Sequence, residues 1–236
     1  MAGAGRGIGR ACARALAEAG ADVVAVSRSQ PELEDLAAEV GGLGRRAEVM
    51  VCDVTDSARV RELIAGLPRL DVLVMSAGAN VPEPLLEVPD EHLDALIALN
   101  VRAAFVVLQA GARRMVAAGC GSIVLLSSQM GHVGAAGRSV YCTTKHAVEG
   151  LTKAAAVELA PRGVRVNAVA PTFVETPMTA PFLADRAFRE EVEQRIPLGR
   201  LGHVEDVTGA VVFLASDAAA LVTGTSLQVD GGWTAQ

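Results

Sequence analysis

Short apolar runs alternate with amphipathic stretches along the whole chain, and this alternation constrains the fold more than any other feature. β-Branched-rich apolar runs predict buried strands, whereas apolar positions spaced by three and four residues predict helices. The predicted strands cover 21–27, 46–54, 70–78, 121–128, 164–171 and 225–230. The predicted helices cover 10–19, 30–42, 56–67, 90–118, 139–160 and 204–215. Ser29 and Glu32 have the spacing of a capping box at the start of helix 30–42. This order is typical of βαβ units, so we expect an α/β fold with a doubly wound parallel sheet.

Length and composition fit one domain. The 236 residues suffice for one α/β domain with a substantial core, and 51% hydrophobic with 20% charged residues is an ordinary globular balance. The net charge of -6 and the scattered basic residues argue against a nucleic-acid partner. No apolar run approaches the ~20 residues of a membrane span, so we expect a cytoplasmic protein with no membrane partner. The four cysteines stand singly, which predicts reduced thiols and no metal: Cys12, Cys52, Cys120 and Cys142.

A glycine-rich loop, "GAGRGIG" (3–9), leads directly into the first predicted helix. Its glycines would let the backbone approach a pyrophosphate, and the helix N-terminus would supply free N–H groups. Such a loop normally follows a strand, but only two residues precede Gly3. We therefore expect the first strand to be missing, which would leave unpaired backbone and an apolar trench in the sheet. We also expect the sequence to start about six to ten residues late, or to be a truncated product with impaired cofactor binding.

A tyrosine and a lysine stand four residues apart in the predicted helix 139–160. Tyr141 is the only tyrosine, and Lys145 is one of only two lysines. Chance would give this spacing roughly once in 100 sequences of this composition. On a helix the two side chains share one face. The ammonium can then lower the pKa of the phenol from about 10 and make it a general acid/base.

The chain resembles the short-chain dehydrogenase/reductase family over nearly its whole length. The matching stretches are "AGAGRGIG" (2–9), "CDVTD" (52–56), "LNVRAAF" (99–105), "LLSS" (125–128), "YCTTK" (141–145), "RVNAVAPTFVETPM" (165–178) and the segment 199–233. The resemblance implies a Rossmann fold and hydride transfer between a nicotinamide cofactor and an alcohol or carbonyl carbon. It also implies a homotetramer, and it places a substrate lid at about 172–200.

The same resemblance implies roles for individual residues. Tyr141 would be the acid/base, and Lys145 would hold the nicotinamide ribose and lower the pKa of Tyr141. Ser128 would bind the substrate oxygen, and Asn100 would hold a water in a proton relay. The implied cofactor contacts are Gly3, Arg6, Gly7, Ile8, Gly9, Ser27, Arg28, Asp53, Val54, Ser76, Ala77, Gly78, Tyr141, Lys145, Pro171, Val174 and Thr176. The chain departs from the common family pattern at Ser76, at Thr172 after Pro171, and at Val204.

The end of the predicted strand 21–27, the second strand of the family fold, indicates which cofactor is used. An acidic residue there binds the ribose 2′-hydroxyl of NAD, whereas an arginine suits the 2′-phosphate of NADP. This chain has Ser27 and Arg28, with Arg6 in the glycine loop as a second cation. We therefore expect NADP(H) rather than NAD(H).

The substrate is a small molecule whose class depends on the residues around Tyr141. Gln129, His132 and Arg138 could bind hydroxyls or a carboxylate, which indicates a polyol, sugar or sugar acid. The alternative is a 3-oxoacyl carrier-protein reductase, for which Arg102, Arg113 and Arg114 are the candidate docking residues. A third reading is a non-catalytic dinucleotide-binding or oligomer-forming homologue disabled by the loss of the first strand. The intact set Asn100, Ser128, Tyr141 and Lys145 argues against it.

Overall fold

A computed structural model describes all residues, 1–236. The strands are β1 (Val23–Ser27), β2 (Ala47–Val51), β3 (Val72–Met75), β4 (Gly121–Leu126), β5 (Val164–Pro171) and β6 (Ser226–Val229). The helices are α1 (Gly7–Glu18), α2 (Gln30–Gly42), α3 (Ser57–Gly66), α4 (Asp90–Ile97), α5 (Ala104–Ala118), α6 (Ser139–Leu159), α7 (Ala180–Leu183), α8 (Arg186–Arg195) and α9 (Val204–Ala215). Strands and helices alternate along the chain as predicted.

All strand pairs are parallel and fall into two groups. β1 pairs with β2, and β3, β4, β5 and β6 pair in that order. Helices cover both faces, as the apolar runs require. On one face α3, α5 and α6 pack against the sheet through a cluster that includes Val60, Val107, Ile123, Val148 and Val166. On the other face α1 and α9 pack through Cys12, Val124, Val169, Val207 and Val211. The predicted doubly wound α/β fold is confirmed.

The two groups of strands meet only at Ala2. Its N–H donates to the carbonyl of Val74 (2.9 Å), and its carbonyl accepts from the N–H of Ser76 (2.9 Å). On the other side the N–H of Val26 donates to the carbonyl of Met1 (3.0 Å). Ala2 is thus a parallel bridge to both β1 and β3. Ala2 alone occupies the position of the strand that normally precedes a glycine-rich loop of this kind.

Toward the amino ends of β1 and β3, no strand lies between them. An apolar cavity of about 830 Å³ lies between β1 and β3, and we call it the central cleft. Its walls include Val24, Val26, Leu63, Val72 and Val107. The amino group of Met1 donates to the carbonyl of Val24 at 2.8 Å within the cleft, and burial lowers the pKa of this amine to about 6. The expected trench is present, and it lies between the edges of β1 and β3 that Ala2 bridges at their carboxyl ends.

The long helix predicted for 90–118 is continuous but not uniform. α4 and α5 are joined by a π-helical turn, Ala98–Ala103. By length and mean hydropathy (1.7) this stretch could cross a membrane, contrary to the prediction that no apolar run has that length. However, 56% of its most apolar window is buried, and Val106, Val107 and Met115 belong to the main core. Burial of this kind is typical of a core helix.

Most observed strands are a few residues shorter than predicted, and three further local features differ from prediction. α1 begins at Gly7 inside the glycine loop rather than at residue 10, so the loop glycines themselves form the first helical turn. Ser29 precedes α2, but its side chain makes no cap and the expected capping box with Glu32 is absent. The carboxylate of Glu32 instead lies against Gly5 of the loop. The segment 172–200, predicted as a lid, contains the two helices α7 and α8.

Candidate active site

The glycine loop packs against the end of β3 more closely than any side chain would allow. Gly3 has φ +83°, and a Cβ there would lie 2.5 Å from the backbone nitrogen of Ala77. A Cβ on Gly9 would lie 1.9 Å from the carbonyl oxygen of Gly3. Arg6, the N-cap of α1, offers no side-chain hydrogen bond to the helix. The N–H groups of the first turn are therefore free for an anion, so the loop fits a dinucleotide pyrophosphate.

The ends of β1 and β2 form one rim of this loop. Ser27 lies against Gly5, and the side chain of Arg28 is 76% exposed with one long ion pair, 4.0 Å from Nη1 to Oδ2 of Asp53. The N–H and hydroxyl of Thr55 both donate to the other carboxylate oxygen of Asp53. These hydrogen bonds, led by the backbone N–H, lower the pKa of Asp53. The rim thus presents Arg28 and the exposed Arg6 to solvent beside a fixed carboxylate.

Residues that follow β3 and β5 line the other side of the loop. Ser76 Oγ lies close to Gly9, and Ala77 lies under Gly3. Thr176 lies against Gly7, and its hydroxyl is 3.1 Å from that of Thr179. The side chains of Val54 and Val174 are buried. Pro171 ends β5. The predicted cofactor contacts therefore gather at the carboxyl edge of the sheet, where ligands bind in open α/β folds.

Asn100 connects the loop after β3 to α6 from within the π-helical turn. It is 2% exposed, and its amide forms a reciprocal pair with Ala79: Nδ2 donates to the carbonyl (2.8 Å) and Oδ1 accepts from the N–H (2.9 Å). Nδ2 also donates to Oγ1 of Thr144 at 3.1 Å. Gly78 lies beside both Asn100 and Lys145. Single π-turns of this kind are frequent at functional sites because they re-aim a side chain.

Tyr141, Lys145 and Ser128 converge where β4 ends and α6 begins. Lys145 Nζ lies 5.5 Å from the centre of the Tyr141 ring and donates to the carbonyl of Leu126 (2.8 Å). Burial lowers the pKa of Lys145 to about 8, and the carboxylate of Glu149 opposes that shift. The three side chains that the sequence predicted to act together are therefore neighbours.

The pKa of Tyr141 differs from expectation. Burial raises it to about 12, while the neighbouring Ser128 hydroxyl acts in the opposite direction. Lys145 does not lower it, because the ammonium points to the carbonyl of Leu126 rather than to the phenol oxygen. In the protein alone, the phenol is thus a firmly protonated acid.

The hydroxyl of Ser128 is held by its own chain neighbours. It donates to Oε1 of Gln129 at 2.8 Å and accepts from the N–H of Met130 at 3.1 Å. Gln129 is 2% exposed, so its side chain serves to orient Ser128 from behind. Gln129 was predicted to contact the substrate, and its hydrogen bond with Ser128 was not predicted.

His132 and Arg138 occupy different surroundings. His132 Nε2 lies 3.1 Å from Ser226 Oγ and 3.2 Å from Glu149 Oε1, so the imidazole faces β6. Arg138 is the N-cap residue of α6, and its guanidinium carbon lies 4.7 Å from the centre of the Phe182 ring in α7. Arg138 is buried, and the phenol of Tyr141 is close enough to oppose the lowering of the pKa of Arg138 by that burial.

Two supporting residues were missed by the sequence analysis. Thr144 accepts from Asn100 and donates to the carbonyl of Tyr141, and buried Glu149 accepts from Ser226 Oγ at 2.9 Å. Both lie on the face of α6 that carries Tyr141 and Lys145, three and four residues along from them. This helical spacing could have identified Thr144 and Glu149 from the sequence as neighbours of Tyr141 and Lys145.

Comparison with known proteins agrees with this arrangement. A family model described as enoyl-(acyl carrier protein) reductase, a short-chain dehydrogenase type, matches residues 3–234. L-xylulose reductase of Bos taurus is 42% identical over 236 residues, which are 100% of this chain and 95% of that protein. The 3-oxoacyl-[acyl-carrier-protein] reductase of Thermotoga maritima is 41% identical over 98% of this chain and 95% of its own length.

A solved structure is similar throughout. It is a gluconate 5-dehydrogenase from Burkholderia cenocepacia in complex with NADP and tartrate, with a TM-score of 0.96 and 37% identity. The match covers 100% of this chain and 94% of that one. Sequence, fold and site geometry together lead to one conclusion: the chain belongs to the short-chain dehydrogenase/reductase family, whose members are oxidoreductases acting on CH–OH groups.

Proposed function

We propose that this protein is an NADP(H)-dependent oxidoreductase that interconverts a carbonyl and an alcohol on a sugar, polyol or sugar acid. The observation that supports it best is the convergence of Ser128, Tyr141 and Lys145 beside a glycine loop suited to a dinucleotide. A protein that only bound a dinucleotide would have no use for a phenol and an ammonium placed together.

In this proposal each side chain has one task. Tyr141 donates its proton to the substrate oxygen in reduction and removes it from the alcohol in oxidation. Ser128, oriented by Gln129, binds that same oxygen. Lys145 Nζ lies 5.5 Å from the centre of the Tyr141 ring, and we propose that the ammonium turns from the carbonyl of Leu126 toward the phenol oxygen to favour the phenolate during oxidation. The bound cofactor supplies or accepts the hydride at its nicotinamide ring.

Asn100 positions this group. Its amide holds Ala79 and Thr144, and Thr144 directly precedes Lys145. The loop after β3 and the start of α6 are thereby kept in register. We propose that Asn100 also holds the water through which the proton leaves Tyr141.

Arg28 supports a preference for NADP(H). It stands exposed at the end of β1 with only a 4.0 Å ion pair, so it can turn to a 2′-phosphate at little cost. Arg6 is exposed in the neighbouring loop. The NADP in the Burkholderia cenocepacia structure is consistent with this choice.

The relatives favour a carbohydrate substrate. One acts by name on L-xylulose and another on gluconate. His132, which faces β6, would hold the turn after Ser128 rather than touch the substrate. Arg138 remains the proposed substrate contact, with the segment 172–200 as its cover, and Gln129 orients Ser128 from behind.

The test is a spectrophotometric assay of NADPH oxidation with L-xylulose and with 5-keto-D-gluconate. We expect turnover with at least one of them, and a lower KM for NADPH than for NADH. Absence of turnover with both, in protein that NADPH stabilises against heat, would contradict the proposed substrate class.

A second candidate is a 3-oxoacyl carrier-protein reductase, favoured by the 41% identity to the Thermotoga maritima enzyme. Arg102 and Arg113 are exposed and could contact an acidic carrier, whereas Arg114 donates to the carbonyls of Ala65 and Pro68. Turnover of acetoacetyl carrier protein that falls when Arg102 and Arg113 are changed to alanine would support this candidate.

We further propose a homotetramer in the cytoplasm. α5 and α6 carry the exposed apolar side chains of Phe105 and Val157, which a partner copy would cover. All four cysteines are free thiols, in keeping with a reducing compartment. Sedimentation of the protein at micromolar concentration would test the assembly.

A further inference from the structure

Arg138 is a buried cation at the N-terminus of α6. It is 7% exposed, and it lies three residues before Tyr141 at the N-cap of the helix. Its guanidinium stacks on the ring of Phe182, which belongs to the segment 172–200. The group is therefore enclosed between the start of α6 and the predicted lid.

No protein group neutralises this charge. Arg138 forms no ion pair, its guanidinium donates no hydrogen bond, and its buried Nη1 has no partner. Other arginines of the chain are paired at the surface: Arg200 lies 2.6 Å from Asp206, and Arg189 lies 2.8 Å from Glu175. A buried guanidinium without an anion is destabilising, because only the contact with the Phe182 ring offsets the desolvation of Arg138. Such a site is completed by an anion from outside the chain.

The position of Arg138 indicates which anion is missing. The glycine loop and the N-terminus of α1 already suit the pyrophosphate, and Arg28 lies at the end of β1 on that side. Arg138 instead neighbours Tyr141, the proposed proton donor. An anion at Arg138 is therefore part of the molecule that reacts at Tyr141.

We infer that Arg138 binds a carboxylate of the substrate, so that the preferred substrate is a keto sugar acid and its aldonic alcohol rather than a neutral sugar. The inference rests on the proposed function. The planar guanidinium can donate two parallel hydrogen bonds to a carboxylate while Phe182 holds its plane. A neutral ketose would leave the buried charge unpaired and would bind less well.

The unmodified protein gives the first test. Tartrate and threitol have the same carbon chain and differ by carboxylates in place of terminal CH₂OH groups. With NADPH and a ketose substrate, we expect tartrate to inhibit competitively at a concentration at least about 30-fold lower than threitol, as charged hydrogen bonds predict. Equal inhibition by the two compounds would overturn the inference.

The second test compares 5-keto-D-gluconate with L-xylulose. We expect the ratio of their kcat/KM values to favour the acid in the unmodified protein and to fall about 100-fold in Arg138→Gln, mainly through KM. Arg138→Lys retains a charge and should recover part of the ratio. Arg195→Gln is the matched control, because Arg195 also stacks on an aromatic ring, Trp233, but is paired with Glu191 at the surface.

The outcomes separate the two proposals. Reduction of L-xylulose without preference for the acid would contradict the role of Arg138 and leave the oxidoreductase function standing. Failure of both substrates would contradict the function itself. If Arg138→Gln does not fold, the tartrate and threitol comparison still decides the matter.

Discussion

The carboxyl and amino ends of β1 and β3 differ in how they are packed. At the carboxyl end, Ala2 bridges β1 and β3, and the residues that follow it form a close-packed loop in which a single added methyl group would clash. Toward the amino end, the same strands are separated by the central cleft of about 830 Å³. The carboxyl edge carries the proposed chemistry, and the cleft borders none of the proposed catalytic side chains. The geometry of the site thus depends on the last residues of each strand, whereas the stability of the sheet depends on its full length.

The largest expected effect is at the carboxyl edge. Tyr141→Phe keeps the ring and removes only the hydroxyl, so kcat should fall about 1,000-fold, within the range for a lost general acid/base. NADPH should raise the melting temperature of the variant as much as that of the unmodified protein. A variant that keeps its turnover would refute the role of Tyr141.

The next effect concerns the central cleft. An engineered extension of five residues before Met1, with apolar residues at alternate positions, can form a parallel strand between β1 and β3. Burial of two or three such side chains should raise the free energy of unfolding by about 3–5 kcal/mol. It should also replace the buried amine of Met1 by a peptide bond. Urea denaturation measures the gain.

The control for the cleft is an extension of equal length made of glycine, serine and aspartate. It adds chain without apolar surface, so it should stabilise little or not at all. Equal stability of the two extended proteins would mean that the cleft does not accept a strand. The kcat with NADPH should change less than stability, because the bridge at Ala2 already fixes the loop.

A pH-dependent effect of intermediate size is expected at Lys145. Its pKa is about 8 in the folded protein and about 10.4 in an unfolded chain. Above about pH 9 the Cys12 thiol, whose pKa burial raises to about 12, should lower stability as pH rises in every variant that retains it. Lys145 alone, whose proton the unfolded chain keeps between pH 8 and 10, should raise stability by about 1 kcal/mol per pH unit. Below pH 8 this contribution should be constant.

Two lysine variants isolate that effect. Lys145→Met removes the titrating group, so the rise between pH 8 and 10 should be absent from its unfolding curves. Lys153→Met, on the exposed side of the same helix, should keep it. If both variants follow the unmodified protein, the ammonium of Lys145 is not the group that titrates.

The spacing of Tyr141 and Lys145 in the sequence predicted that they lie together in the site. Features that depend on contacts with other elements could not be predicted in this way. Tyr141 and Lys145 lie on one helix face, so four residues of sequence sufficed to bring them together. The orientation of the ammonium toward Leu126 could not be foreseen, because that carbonyl lies on another element. The capping box at Ser29 failed for the same reason, since Glu32 packs against the glycine loop. Alternation of apolar runs predicted the sheet, and it could not reveal that Arg138 is enclosed without an anion.

The smallest expected effect is on cofactor binding, and it is tested by arginines at the two ends of the strand pair β1 and β2. Arg28 stands at the carboxyl end of β1, and Arg46 stands at the amino end of β2, where it pairs with Asp22 at 2.8 Å. Arg28→Ala should raise the KM for NADPH about 10-fold, the loss of one exposed contact to a phosphate. The KM for NADH, which lacks the 2′-phosphate, should stay the same. Arg46→Ala should leave both values unchanged, because nothing at that end of the strands touches the cofactor loop. Equal effects of Arg28→Ala on the two cofactors would mean that Arg28 does not bind the 2′-phosphate.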